Sequence, residues 1–148
     1  MHASTQGITL AQANQIIQTA LALARERQLL PLTCCVVDRG GHLVAAQRED
    51  ASSTLRFEIA FGKAWSCMAL GHSTRFMEEV MARNRPHFLD ALPAASAGKF
   101  VPCIGGVMIR SPEGELLGAV GITGDSADND EAVGIQAIER CGLLADLS

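Results

Sequence analysis

The chain has 148 residues, 48% of them apolar and 19% charged, with a net charge of −4, so it can bury a core and is not disordered. Its 12 lysines and arginines are scattered, with no tyrosine and a single tryptophan, which makes nucleic acid a poor partner. The longest apolar runs, such as LLPLTCCVV (29–37), are too short to span a bilayer and MHASTQG has no signal-peptide pattern, so a cytoplasmic protein without a membrane partner is expected.

Residues 9–29 read as a helix. Thr9 and Gln12 form a capping box, Leu10, Ala13, Ile16, Ile17, Ala20, Leu21 and Ala24 form one apolar stripe, and Pro31 is the expected stop. Two extended runs follow, 32–38 and 42–48, and Gly40-Gly41 between them signals a hairpin. A second helix is predicted over 53–70, ended by Gly71, and a third from Thr74 to about Arg83. Pro86, Pro93 and Pro102 punctuate a loop-rich stretch with one short helix, HFLDAL. Strands 107–110 and 115–123 flank SPEG as a second hairpin, and a last helix is expected from about 129 to 145. Hairpin-linked strands with helices between them predict an α+β fold in one domain, 1–148. A mean hydropathy of +0.18 on a chain this small points to a homo-oligomer.

GAVGITGDSADNDEAVG (118–134) sets glycines before a helix, as phosphate loops do. The spacing here is GxxGxxG, it lies inside a strand, and no GK[ST] is present. Four acids, Asp125, Asp128, Asp130 and Glu131, would repel an anion and already suit the positive end of a helix. Asp128 is predicted as N-cap with Glu131 three residues on, Asp130 sits in the first turn, and Asp125 is left for function. The pattern lacks the central Gly and terminal Glu of a calcium loop, and no metal site is expected. Glycine in a strand marks close approach of a helix, a ligand or another backbone.

Lys63 lies on a largely apolar helix face. It either snorkels or reaches a pocket to hold an anionic group, and Gly62 beside it suits close packing on the sheet. Cys34 and Cys35 point to opposite faces of a strand, and all five cysteines read as small core residues. No HExxH, GxSxG or Cys-His pairing names a reaction. Of His2, His42, His72 and His87, His72 has a helix-end position suited to capping, and a lone His can also serve as an axial haem ligand.

Taken together, VVDRGGHLVAAQRED, RFEIAFGKAWSCMALG, PCIGG (102–106) and LLGAVGITGDSADNDEAVG resemble the GlcG/HbpS family, which includes the C-terminal domain of PduO-type proteins. The resemblance runs from the first helix to the last. It implies a profilin-like fold, a five-stranded antiparallel sheet flanked by helices, with the fifth strand near 99–104. It also implies dimers or larger homo-oligomers and, in some members, bound haem. Where many relatives read Arg-Met-Asp-Gly, this chain has Arg48-Glu49-Asp50-Ala51, which places a charge at that point of the surface.

Two functions are therefore expected. One is a small-ligand-binding protein, with haem or another tetrapyrrole as the cofactor implied by the resemblance and His72 and His87 as candidate ligands. The alternative is a cofactor-free isomerase, lyase or hydrolase acting on a small carboxylated or hydroxylated metabolite. Its pocket would lie between Gly105-Gly106, the Gly121–Asp125 strand end and the Arg56–Lys63 helix. Glu58, Lys63 and Asp125 would be catalytic, with Arg48, Arg56, Gly105, Gly106, Gly121 and Gly124 binding substrate. An accessory subunit without pocket chemistry is the third expectation.

Overall fold

In the computed structural model, which describes residues 7–148, the Thr9–Gln12 capping box forms and opens helix α1, Leu10–Glu26. His2 lies outside the described residues. The stop comes earlier than Pro31. Gln28 takes a left-handed φ of 56°, Gln28 N–H bonds to the Arg25 carbonyl and Leu29 N–H to the Ala24 carbonyl. That pairing is a Schellman motif, built on a glutamine rather than the usual glycine.

The predicted hairpins are present as β1 (Thr33–Asp38) with β2 (Leu43–Arg48), and β3 (Gly106–Arg110) with β4 (Leu116–Thr123). Between the hairpins run α2 (Arg56–Leu70), α3 (Thr74–Phe76), a π-helical turn (Met77–Met81), α4 (Ala82–Asn84) and α5 (Pro86–Ala95). Helix α6 (Ala127–Arg140) and strand β5 (Leu144–Asp146) complete the described chain. The five strands form one antiparallel sheet in the order β2-β1-β4-β3-β5.

The last helix ends at Arg140, not 145, because Gly142 adopts a φ of 75° and closes a second Schellman pairing, Gly142 N–H to Glu139 and Leu143 N–H to Ile138. The residues released by that stop are the fifth strand, which pairs with β3. Residues 99–104 are not a strand. They cross α2, where Val101 N–H bonds to Ser66 Oγ, and it is this segment, not the sheet, that Gly62 accommodates.

Alternation along β1 sends Cys34 into the core under α1 and α6, and Cys35 into the core under α2. The α2 side is built from small residues. Gly106 and Gly121 stand directly opposite each other on β3 and β4. A Cβ on Gly121 would lie 1.9 Å from the Ala60 carbonyl oxygen, and one on Gly106 would lie 2.7 Å from that of Lys63. Helix α2 therefore rests its backbone on the sheet.

Gly121→Ala is expected to force α2 off the sheet and cost roughly 3 kcal/mol, the upper end of overpacking, because the obstruction is backbone and cannot rotate away. Urea denaturation measures it. A loss below about 1 kcal/mol would mean that the helix can shift freely.

Candidate functional site

The N-terminal half of α2 places Arg56, Ile59 and Lys63 on one face at helical spacing. This face meets the end of β4, the start of α6 and residues 103–104 around an open cleft of about 420 Å³. Thr123, Asp125, Asp130, Cys103 and Ile104 complete most of the wall, and Glu78 reaches it from the π-helical turn. Such a turn inside a helix often marks a functional site, since it rotates side chains out of the normal register.

Lys63 does not snorkel. It is 4% exposed, and its Nζ donates to the Ile122 carbonyl at 2.8 Å. Gly105, with a φ of 125°, leaves the space: a Cβ there would stand 2.8 Å from Nζ. Asp130, 2% exposed, faces the amine with Oδ2 3.9 Å from Nζ. Its carboxylate also accepts the N–H groups of Gly124 at 3.2 Å and Asp125 at 3.0 Å. Burial pushes the Lys63 ammonium below its usual value, opposed first by Asp130. Burial likewise pushes the Asp130 carboxyl up, opposed by the Asp125 N–H and by Lys63. Both groups are thus drawn toward their neutral forms.

Asp125, left for function by the sequence, has a structural task. It accepts the Leu30 and Ser126 N–H groups, each at 2.8 Å, and the Asn129 side-chain amide at 2.7 Å. The Asn129 bond, then the two backbone bonds, hold its carboxyl below the usual range. The N-cap of α6 is Ser126, bonded to Asn129 N–H, and not Asp128. Asp128 and Glu131 instead bind Arg75, at 2.9 and 2.8 Å, tying α3 to α6. The helix starts two residues earlier than expected, and this turns Asp130 inward.

The other candidates fall in several places. Arg56 lines the cleft and donates to Thr123 Oγ1 at 2.7 Å. Glu58 is exposed on α2 and is not part of the cleft wall. Gly106 and Gly121 serve helix packing, and Gly124 sits against Pro31 and Leu32 in a neighbouring hollow. Arg48 donates to the Ser52 carbonyl and borders a separate cleft of about 470 Å³ with Arg25 and Glu49. His72 stacks on Phe76 at 4.2 Å, and His87 is exposed on α5. Neither lines the Lys63 cleft.

Cys34, Cys35 and Cys67 are buried as expected, and desolvation pushes the Cys35 and Cys67 thiols up to about 12. Cys103 departs from that expectation, being exposed at the cleft. Asp130, Glu78, Cys103 and Thr123 are the polar or thiol-bearing cleft residues that the sequence does not single out as a site.

Residues 8–139 match the family model described as haem degrading protein HbpS-like. A 15.0 kDa protein from the dhaT–dhaS intergenic region of Citrobacter freundii is 27% identical over 132 residues, which is 89% of this chain and 90% of that protein. The corrinoid adenosyltransferase PduO of the same organism is 28% identical over 131 residues, but these span 88% of this chain and only 38% of PduO. The crystal structure of a PduOC–haem complex superposes with a TM-score of 0.82 at 25% identity, covering 95% of this chain and 99% of that one.

Removing one member of a buried pair strands the other. Asp130→Asn is expected to cost roughly 3 kcal/mol at neutral pH, and Lys63→Met less, because Asp130 keeps its two backbone donors. The sign with pH follows from Lys63, whose folded value lies below the unfolded 10.5. Between the two values the unfolded chain binds more protons, so stability rises with pH. The deficit of Asp130→Asn should therefore narrow toward pH 10.5 in urea titrations. A pH-independent deficit would mean that Lys63 carries no buried charge.

Proposed function

The chain belongs to the HbpS-like family, and from that premise we propose that it is a small-ligand-binding protein of haem-related type, acting as one domain and as a homo-oligomer. The observation that carries this reading is the haem complex of a relative sharing the fold over nearly the whole chain. Exposed Leu10, Leu43, Leu55 and Leu144 support self-association. Among the described residues no helix is long and apolar enough to cross a membrane.

Haem iron is held by His, Cys, Met or Tyr side chains, and an imidazole is the donor proposed here. Among the described residues, His72 Nδ1 is the one buried side-chain nitrogen or oxygen without a hydrogen-bond partner. Its ring, held by Phe76, is the better fit for an axial ligand than the exposed His87. Neither histidine is part of the Lys63 cleft wall, and the cofactor-free reading of that cleft assigns haem no part in it. Haemin titration of the purified protein should give a shifted Soret band that His72→Ala abolishes and His87→Ala preserves. A free-haemin spectrum at equimolar protein overturns this reading.

The cleft favours a second reading, a cofactor-free enzyme for a small carboxylated or hydroxylated metabolite. Glu78, Asp125 and Asp130 already accept backbone N–H groups. Arg56 commits one arm of its guanidinium to Thr123, and Lys63 one of its protons to Ile122. Arg56 and Lys63 thus keep cationic donors to offer in the cleft, which suits a carboxylate oxygen. Lactate is expected to bind in calorimetry and to weaken about tenfold in Arg56→Ala, the scale of one charge-assisted hydrogen bond. Equal affinity in the variant would place the carboxylate elsewhere.

A further inference from the structure

We propose that Lys63 is a nucleophilic amine that forms a Schiff base with a small 2-keto acid in the cleft, with Asp130 moving the protons and Arg56 holding the carboxylate. The inference rests on the cleft reading above and gives that site a substrate class.

Geometry carries it. The Lys63 side chain is enclosed by protein, yet it forms part of the wall of an open cleft. Only one of its three protons is committed at hydrogen-bond distance, to the Ile122 carbonyl. Gly105 has no side chain to crowd the amine, since a Cβ there would stand 2.8 Å from Nζ. The 3.9 Å between Nζ and Asp130 Oδ2 exceeds a hydrogen bond. An oxygen carried on a carbon bonded to Nζ would fall within reach of that carboxyl. Arg56 stands two turns before Lys63 on the same face of α2, where it can hold a carboxylate attached to the reacting carbon. Burial disfavours both the ammonium and the carboxylate and so favours passage of a proton from the resting Lys63 ammonium to Asp130, which leaves the neutral amine that attacks beside a protonated acid.

The step balances without an external reagent. The Nζ lone pair attacks the ketone carbon, a C–N bond forms, and the carbonyl pair moves to oxygen, which takes the Asp130 proton. Asp130 then removes a proton from nitrogen and returns it to the hydroxyl. Water leaves as the C=N bond forms, with the positive iminium beside the Asp130 carboxylate. This pairing is the same as that of the resting ammonium and carboxylate, so the site already accommodates its charge pattern.

The chain has two lysines, Lys63 and the exposed Lys99, which act as each other's control. Wild-type protein incubated with pyruvate and borohydride, then peptide-mapped, should carry the reduced adduct on Lys63 in about tenfold or greater excess over Lys99, as for a positioned reactant. The excess should vanish in urea, and trapping should slow in Asp130→Asn. The comparison is made within the wild-type molecule, so it does not depend on a variant folding. Adduct on Lys99 or the N-terminal amine at or above the Lys63 level overturns the proposal. Lactate, which has no ketone carbon, separates the two readings. Lactate binding without pyruvate trapping leaves the cleft a carboxylate site and removes the Schiff base, and absence of both removes both.

Discussion

The structure depends on one close approach, the seating of α2 on the paired glycines of β3 and β4. Gly106 and Gly121 face each other across the two strands and leave a depression one side chain deep. Ala60, Ala64 and Cys67 fill it from the helix. Because no large side chains intervene, the helix axis lies low, and Lys63 is carried past the sheet's surface to the end of β4. A bulkier interface would lift the same lysine toward solvent. Packing and site are in this sense one feature: the small residues that let the helix dock also fix the depth at which its only lysine emerges.

Burying that lysine sets the electrostatics of the region. An ammonium taken from water needs a compensating charge or a proton acceptor, and the first turn of α6 and the end of β4 supply them in Asp130 and the Ile122 carbonyl. The turn between the two elements is held by carboxylates on backbone N–H groups, Asp125 on Leu30 and Ser126, and Asp130 on Gly124 and Asp125. Arg75 draws Asp128 and Glu131 to the opposite side. Four neighbouring acids therefore have distinct tasks: one ties a loop, two clamp a helix, and one opposes the buried amine.

Most of the fold was legible in the sequence, because periodicity, capping and hairpin turns are local. Both hairpins, α1, α2 and the profilin-like sheet followed from such signals and from the family resemblance. The fifth strand was misplaced, since three residues after Gly142 carry too little pattern to stand out beside 99–104. The inward turn of Asp130 is written in the pattern of α6. Val133, Gly134, Ala137 and Ile138 form the buried stripe of α6, and continuing that stripe back by one turn lands on Asp130. A start at Asp128 obscures this, but Ser126 is as good an N-cap residue and is the one the helix uses. Glu78 was not legible, because the π-helical turn that aims it breaks the helical spacing on which such reading relies.

The strand order has a kinetic consequence. Each hairpin closes a short loop, but the seam that joins them, β1 against β4, brings together segments from opposite ends of the sequence. Closing so long a loop is the entropically expensive event and is expected to limit the rate of assembly. The cleft lies at one end of that seam, where Thr123 pairs with Thr33. Its wall is drawn from α2, β4 and α6, elements far apart in the sequence, so a molecule held there ties them together and favours the folded chain.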